Sequence, residues 1–296
     1  MKDQLIELRE ERDLGQKLNA TFAFLRQNYR PLARCILLYV VPFALLAGIF
    51  SGIYQSTQLA ELSGNVRYGS LGAYAFASTI NSGHYWVSIF FTLVSLVLLC
   101  ITVYTYMLEY LAQGGKVENV AIWERIKGNF IPLLYSAVGA AVICGVAALL
   151  LVLPGIYVMV PLSLFAVVML AEEVNFLDAL ERCFHLVKGR WWASFGFLLI
   201  TFMLQGIIGF AASLPALVVY VFRILHLPGG ESDLLLILAS SFTTIVGLVL
   251  YVIAITAIGF LYFDLVERKD GLGLLEKVNQ IGGPASGFSD IPQNQA

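Results

Sequence analysis

Charge is scarce in this sequence. Only 13% of its 296 residues are charged, whereas soluble domains carry roughly 25%. Apolar residues make up 59%, and the mean hydropathy is +0.81. A soluble core of this size could not bury so much apolar surface. The composition therefore favours an integral membrane protein, and the net charge of −2 gives no sign of a nucleic-acid partner.

Familiar catalytic and metal-binding motifs are missing as well. The four cysteines form no CxxC pair or Cys/His cluster, so we expect free thiols that pack as small hydrophobes. The sequence has no P-loop, GxSxG or HExxH motif. We therefore predict no catalytic residue, no cofactor and no metal site. The N-terminus has no apolar run of the kind that a cleaved signal peptide contains.

What the sequence does contain is long apolar runs. A helix needs about 20 mostly apolar residues to cross a bilayer, and six runs qualify: 31–54, 85–108, 130–152, 155–171, 191–222 and 234–263. We expect a charged N-terminal segment over 1–16, a six-helix membrane domain over 17–265, and a tail over 266–296 that is disordered after about 283.

The third and fourth runs meet at Leu153-Pro154-Gly155. Pro154 cannot donate a backbone hydrogen bond and Gly155 permits a tight turn, so a hairpin is expected here. One long kinked helix over 130–171 is the alternative.

Basic residues outside the six runs are distributed unequally. With six crossings, and with Arg34 counted in the N-terminal segment, sixteen Lys and Arg fall on one side and only Arg67 and Arg223 on the other. Short loops rich in Lys and Arg remain in the cytoplasm. The sequence therefore predicts that both termini are cytoplasmic.

Three stretches share one pattern: an aromatic residue, a basic residue at +4, a polar or basic residue at +6 and an aromatic residue at +7. They begin at Phe22, Trp123 and Phe184, just before the first, third and fifth runs. A Leu-Pro step follows the second and third starts by 31 residues, at Pro154 and Pro215. This pattern predicts an internal repeat.

Amphipathic segments accompany these stretches. In 175–189 apolar side chains alternate with charged ones at helical spacing, Asn175 suits a helix N-cap, and Gly189 suits the position after the C-cap. The segment 117–128 behaves similarly. We expect such helices to lie in the headgroup plane. The predicted fold is all-α, with six transmembrane helices as three hairpins, each preceded by an interfacial helix in a pseudo-threefold repeat.

Side chains at these junctions are the candidate site. Candidate headgroup or partner contacts are Arg26, Lys127, Lys188, Arg190, Trp191 and Trp192. Candidate acidic partners at the same level are Glu109, Glu172, Glu173 and Asp264. Two interpretations stay open: a site for lipid headgroups or a partner protein, or solvated helix ends joined by salt bridges between repeats.

The deep part of each run holds no ionisable side chain. Buried ionisable groups mark proton relays and ion sites, so their absence argues against a proton-coupled pump. Ser and Thr, as in 240–244, are expected to bond to their own helix backbone. Gln205 is the most polar residue deep in a run, and it lines a cavity or bonds to a neighbouring helix.

The run AEEVNFLDALERCFHLVKGRWWASFGFLLITFMLQGII resembles six-span bacterial membrane proteins of unknown function related to the membrane region of glycerophosphodiester phosphodiesterases. The resemblance implies a bacterial inner-membrane protein with a three-hairpin bundle. It implies no phosphodiesterase activity, because in that group the chemistry belongs to a separate barrel domain.

We therefore expect a non-enzymatic scaffold or lipid-interacting module, with membrane lipids, anionic ones included, or a membrane protein as partner. The alternative is a transporter or channel for an apolar or amphipathic solute. A polar-lined cavity would favour transport, and a filled bundle axis would favour the scaffold.

Overall fold

The computed structural model describes residues 6–65, 79–114, 117, 119–150, 152–225, 227, 232–271, 273 and 275. These residues are helical almost throughout and form no β-strand, as the fold class predicts. The helices are α1 Leu14–Tyr39, α2 Val41–Asn65, α3 Gly83–Ala112, α4 Asn119–Leu150, α5 Val152–Leu162, α6 Phe165–Glu172, α7 Phe176–Val187, α8 Trp191–Ile224, α9 Asp233–Leu250 and α10 Val252–Asp270.

Five segments of the described chain are long and apolar enough to cross a membrane: Gly83–Ala112, Val120–Leu149, Pro154–Glu172, Trp191–Ile224 and Asp233–Asp270. Helix α2 becomes a sixth when it is counted together with α1, from which it bends by 56°. The helices therefore have the length and composition of an integral membrane protein with five or six crossings.

Helix α1 lies across one end of the bundle instead of crossing it. Near its start, Lys17 contacts Asp264 of α10; in its middle, Phe24 packs on Tyr110 of α3; at its end, Tyr39 stacks on Trp123 of α4. All three partners belong to the same end of the bundle. Trp123 and Tyr110 lie close in sequence to Arg125 and Glu109, which form an ion pair there. The first nine residues of the predicted first span, 31–54, therefore belong to α1, and the rest to the bend and α2.

The bend between α1 and α2 falls at Val40, two residues before Pro42. Pro42 has no N–H to donate to the carbonyl of Leu38, four residues before it, and its ring crowds that carbonyl, so a helix boundary at this point has a local cause. The sequence showed Pro42, but it was expected inside a continuous span.

Of two predicted interfacial helices, one is a separate helix in the structure and the other is part of a longer helix. Helix α7 is a separate element, preceded by Asn175 in an extended conformation and followed by Gly189 with φ of 88°. The segment 117–128 is not separate, because α4 continues through Gly128 without a break up to Leu150. Gly128 has space around it and no positive φ, so nothing in its surroundings ends the helix there.

The chain reverses between α4 and α5, so the predicted hairpin is present. An added Cβ on Gly155 would lie 3.0 Å from the Cα atom of Ala148, a contact that one continuous helix could not make across seven residues. Pro154 lies in the first turn of α5, where its missing N–H is tolerated. The matching Leu-Pro step behaves differently, since Pro215 lies inside α8.

Two predicted spans are broken helices. The fourth, 155–171, consists of α5 and α6 with a turn at Ser163 and Leu164, just after Pro161. The sixth, 234–263, consists of α9 and α10, which meet at Tyr251. Helix α10 continues to Asp270, so the predicted tail begins later than residue 266.

Helix α2 packs between α3 and α9, and α8 packs beside α9. The α2–α9 contact is close because Gly48 and Gly52 face the backbone of α9 at Ser241 and Ile237. Small residues four apart permit such an approach between membrane helices.

Some predicted features lie outside the described residues. They are Arg67 and most of the predicted tail over 266–296.

Candidate functional site

Ionisable side chains from six helices and the N-terminal segment gather at one end of the bundle, which we call the charged end. It comprises the starts of α1 and α4, the ends of α3, α6 and α10, and helix α7 with the start of α8. The ion pairs of this end form three clusters.

The first cluster centres on Asp264, which is 2% exposed. Its carboxylate lies 2.6 Å from Lys17 Nζ and 3.0 Å from Arg268 Nε, and it accepts a 2.8 Å hydrogen bond from the backbone N–H of Arg12. Arg268 also pairs with Glu11 at 2.6 Å. Asp264 therefore fixes the N-terminal segment to α10, and Leu8 of that segment is buried.

The second cluster joins α6, α7 and α10. Arg182 Nε lies 3.0 Å from Glu172 Oε1, and its Nη2 contacts Asp270. Tyr262 donates a 3.2 Å hydrogen bond to Glu172. Burial acts to lower the pKa of the Arg182 guanidinium, but the hydrogen bonds and charges of Asp270 and Glu172 outweigh it and raise that pKa.

The third cluster joins α3, α4 and the end of α6. Arg125 lies 3.5 Å from Glu109 and 3.6 Å from Glu173. Its guanidinium also donates to the carbonyl oxygen of Leu170 at 3.4 Å. Thus each predicted acidic partner has an ion pair, but with Lys17, Arg125, Arg182 or Arg268 instead of the cations that the repeat pattern marked.

The basic residues that the repeat pattern identified do not pair with these predicted acidic partners. Lys127 pairs with Glu124 at 2.7 Å on its own helix, and its ammonium group lies 5.7 Å from the ring centre of Trp123. Arg26 is exposed on α1. Lys188 and Arg190 are exposed on either side of Gly189, and neither has an acidic partner within the described chain.

Lys188 and Arg190 border a cavity of about 250 Å³, which we call the basic pocket. Its walls are Leu186, Lys188, Gly189, Arg190, Leu265, Arg268 and Lys269. Arg268 is neutralised by Asp264 and Glu11, whereas Lys188, Arg190 and Lys269 have no acidic partner among the described residues. The positive φ of Gly189 turns the chain from α7 into α8, so that the two flanking cations reach one cavity.

The two tryptophans beside this pocket differ in exposure. Trp191 stacks on Tyr157 of α5 with ring centres 5.4 Å apart, and its Nε1–H donates to the Tyr157 carbonyl at 3.2 Å. Trp192 is 78% exposed. Trp191 therefore ties α8 to α5, and Trp192 alone of the pair has the exposure of a side chain that anchors in a membrane interface.

Helix α7 uses part of its apolar face within the protein. Ala179, Cys183, Leu186 and Val187 are buried in the core, whereas Leu177 is exposed. Burial, together with the charge of Glu172, raises the pKa of the Cys183 thiol to about 12. This thiol therefore stays protonated and packs as an apolar side chain, and all four cysteines are free.

Gln205 is nine-tenths buried on α8, and its side-chain carbonyl oxygen has no hydrogen-bond partner in the described structure. It lines none of the three cavities described for this molecule. The hydroxyls of Ser241 and Thr244 bond to carbonyls of their own helix, as the sequence predicts. The hydroxyl of Ser240 instead bonds to Gln55 of α2, and that of Thr243 has no partner in the described structure.

Two further cavities are apolar. One, of about 370 Å³, lies among α3, α4, α5, α6, α8 and α10. The other, of about 440 Å³, lies between the bend that joins α1 and α2 and the first half of α4, with Lys127 as its single charged residue.

Sequence reasoning missed several of these features. Arg268 and Lys269 were counted only as part of a charged tail, although basic residues in the last turn of α10 are a visible helix-end signal. The apolar cavities depend on contacts among distant helices, and a single sequence carries no signal for those. Within the described chain, no group of three or more His, Cys, Asp or Glu side chains is placed to hold a metal ion.

No known family model, curated protein or solved structure matches this chain.

Proposed function

We propose that this chain is a membrane-embedded module that binds anionic lipid at its charged end. The observation that carries the proposal is the basic pocket: three of its four cations have no acidic partner in the described chain, while the acidic side chains expected to neutralise them are paired elsewhere. Like charges placed together repel each other, and an anion between them removes that repulsion. A phosphate group at a membrane surface supplies such an anion.

The neighbouring side chains suit this role. Lys188 and Arg190 lie where a helix with one apolar face joins a helix long enough to span the membrane, and Trp192 is exposed at the same junction. Exposed tryptophan at the membrane interface fixes depth, and Lys and Arg beside it reach headgroup phosphates. Neither of the two apolar cavities offers more than one charged residue.

We further propose that the charged end faces the cytoplasm of a bacterial cell, with the protein in the inner membrane. The excess of Lys and Arg predicted on this side supports that orientation. The bacterial origin rests on the resemblance alone. A pseudo-threefold repeat and a role as scaffold for another membrane protein remain predictions.

Transport of an apolar or amphipathic solute remains the alternative. Gln205, the residue expected to line its path, borders none of the three cavities, so it gives transport no specific support.

The test removes the unpaired cations of the basic pocket. In the variant Lys188→Gln/Arg190→Gln/Lys269→Gln, retention of phosphatidylglycerol should fall. Each basic residue near an anionic surface contributes about 1 kcal/mol, so three should lower the affinity on the order of 100-fold. Native mass spectrometry of the protein released from nanodiscs of phosphatidylcholine and phosphatidylglycerol counts the retained lipids.

The matched control is Arg26→Gln/Arg30→Gln/Arg34→Gln, which removes three exposed cations of α1 that do not border the pocket. We expect it to retain phosphatidylglycerol almost as the unchanged protein does, and both variants to melt normally. Equal retention in all three proteins would rule out the proposal. Equal losses in both variants would show diffuse attraction to the surface instead of a defined pocket.

A further inference from the structure

The 370 Å³ cavity is separate from the basic pocket, with which it shares no residue. Its walls come from α3, α4, α5, α6, α8 and α10 and contain no charged side chain. The hydroxyl of Ser163, one of its polar groups, already bonds to the carbonyl of Val160 at 2.7 Å. An occupant of this cavity is therefore apolar along most of its length.

The sequence creates this space by placing small side chains on one face of α4. Ala137, Ala140 and Ala141 border the cavity at helical spacing, between Leu133 and Cys144 of the same helix, and their short side chains leave the space open. Both helix breaks, at Ser163 and at Tyr251, also border it. The breaks at Ser163 and Tyr251 and the alanines of α4 thus border the same cavity inside the bundle.

The cavity has the size of a ligand site. Pockets for small ligands usually measure about 300–1,000 Å³ and are mostly apolar, and an engineered apolar cavity of about 150 Å³ already takes up benzene. Close-packed protein interiors leave few voids larger than a water molecule. A space of about 370 Å³ between helices that suit a bilayer therefore has room for an apolar ligand.

The cavity also has an entrance. Ala140 is only 7% exposed, whereas its neighbour Ala141 borders the same cavity and is exposed on the outer face of α4. Around a membrane-spanning bundle, hydrocarbon chains surround that face. A chain can enter beside Ala141 without crossing any charged group.

We propose that this cavity binds a single hydrocarbon chain in a defined position. The chain comes either from a membrane phospholipid or from a free fatty acid, and both offer the same chemistry to the walls. The cavity is apolar, is enlarged by alanines and opens beside α4, and each of these features suits a linear apolar ligand. The proposal does not depend on the basic pocket.

The test fills the cavity from α4. Ala140→Phe places a ring in the cavity, whereas the matched control Val142→Phe places the same ring on the opposite face of α4, where Val142 is 58% exposed and borders no cavity. Each protein is reconstituted in phosphatidylcholine nanodiscs with one of two probes. One probe is spin-labelled stearic acid, and the other is phosphatidylcholine with the same label on one acyl chain.

Electron paramagnetic resonance spectra then report the immobilised fraction of each probe. We expect an immobilised component in the unchanged protein and in Val142→Phe, and its loss in Ala140→Phe. The probe that loses it identifies the source of the chain. Spectra of both probes that are the same in all three proteins would overturn the proposal.

A second, smaller substitution keeps the proposal testable if the first variant does not fold. Ala137→Leu also reduces the cavity, and it should weaken the immobilised component if Ala140→Phe fails to fold. The triple Gln variant of the basic pocket should keep the component. Loss of lipid at one site with retention at the other separates failure of this proposal from failure of the proposed function.

Discussion

At the scale of single residues, Asp264 determines how the charged end is assembled. Its buried carboxylate binds Lys17, Arg268 and the backbone of Arg12, so it joins the N-terminal segment to the last helix. Burying a charge is unfavourable unless it is paired and hydrogen-bonded. Here two cations and an N–H satisfy the carboxylate.

Removing this charge should destabilise the protein strongly. In Asp264→Asn, Lys17 keeps its positive charge in a buried place without the anion it faces, whereas Arg268 retains Glu11. Breaking a buried pair in this way costs about 3–5 kcal/mol. Unfolding in detergent, followed by circular dichroism, measures the change.

The matched control is Glu124→Gln, because Glu124 pairs with Lys127 on the surface of α4, where both side chains are largely exposed. Exposed pairs contribute about 0–1 kcal/mol. If Asp264→Asn unfolds no more easily than Glu124→Gln, the first cluster is not an organising contact.

The sequence predicted which acidic residues gather, but not their partners. Glu109, Glu172, Glu173 and Asp264 were recognised because each follows a long apolar run. Their partners Arg125 and Arg182 lie in the amphipathic segments, and Lys17 lies near the chain start, so no short spacing joins them to the acids. Which cation reaches which acid depends on how the helices cross at the charged end.

At the scale of helices, the contact between α2 and α9 depends on Gly48 and Gly52. A Cβ atom on Gly48 would lie 2.5 Å from the Cα atom of Ser241, and one on Gly52 would lie 2.7 Å from the Cα atom of Ile237. These distances are too short for any side chain, so glycine is required for the two backbones to approach as they do.

Gly48→Ala should therefore destabilise the bundle, although alanine favours a helix more than glycine does. The added methyl group must push α2 away from α9, and overpacking of this kind costs about 1–3 kcal/mol. Thermal melting in detergent measures the effect. Gly206→Ala on α8 is the control, because nothing lies near its added Cβ, and it should melt no lower than the unchanged protein. Equal melting of the two variants would contradict close packing at Gly48.

Prediction of the helices succeeded where the cause is local. The apolar and charged faces of 176–187, with Asn175 before and Gly189 after, gave α7 correctly. Prediction failed where contacts between distant helices determine how a helix is oriented. Helix α1 lies across the bundle end because Phe24 and Asn28 contact Tyr110 and Tyr106 of α3, and no periodicity in 14–39 reveals that direction.

At the scale of the whole molecule, the apolar runs predicted six crossings, and the structure has five or six helical segments that are long and apolar enough to cross a membrane. The structure adds that most of the described charged groups gather at one end, whereas the opposite end has a single described ion pair, Arg223 with Asp233 at 2.7 Å. The basic pocket and the apolar cavity could not be predicted, because each brings together helices that are far apart in sequence.

The central claim is that the helices span a membrane with the charged end on the cytoplasmic side. Asn175 is exposed at the charged end, and Ser232 is exposed at the opposite end. The measurement that tests the claim most directly is the labelling of Asn175→Cys and Ser232→Cys in intact bacterial cells with the outer membrane permeabilised, using a membrane-impermeant maleimide. The unchanged protein serves as the background for its four native thiols. We expect Ser232→Cys to react in such cells and Asn175→Cys to react only after the inner membrane is opened; labelling of both, or of Asn175→Cys alone, before that step would contradict the account.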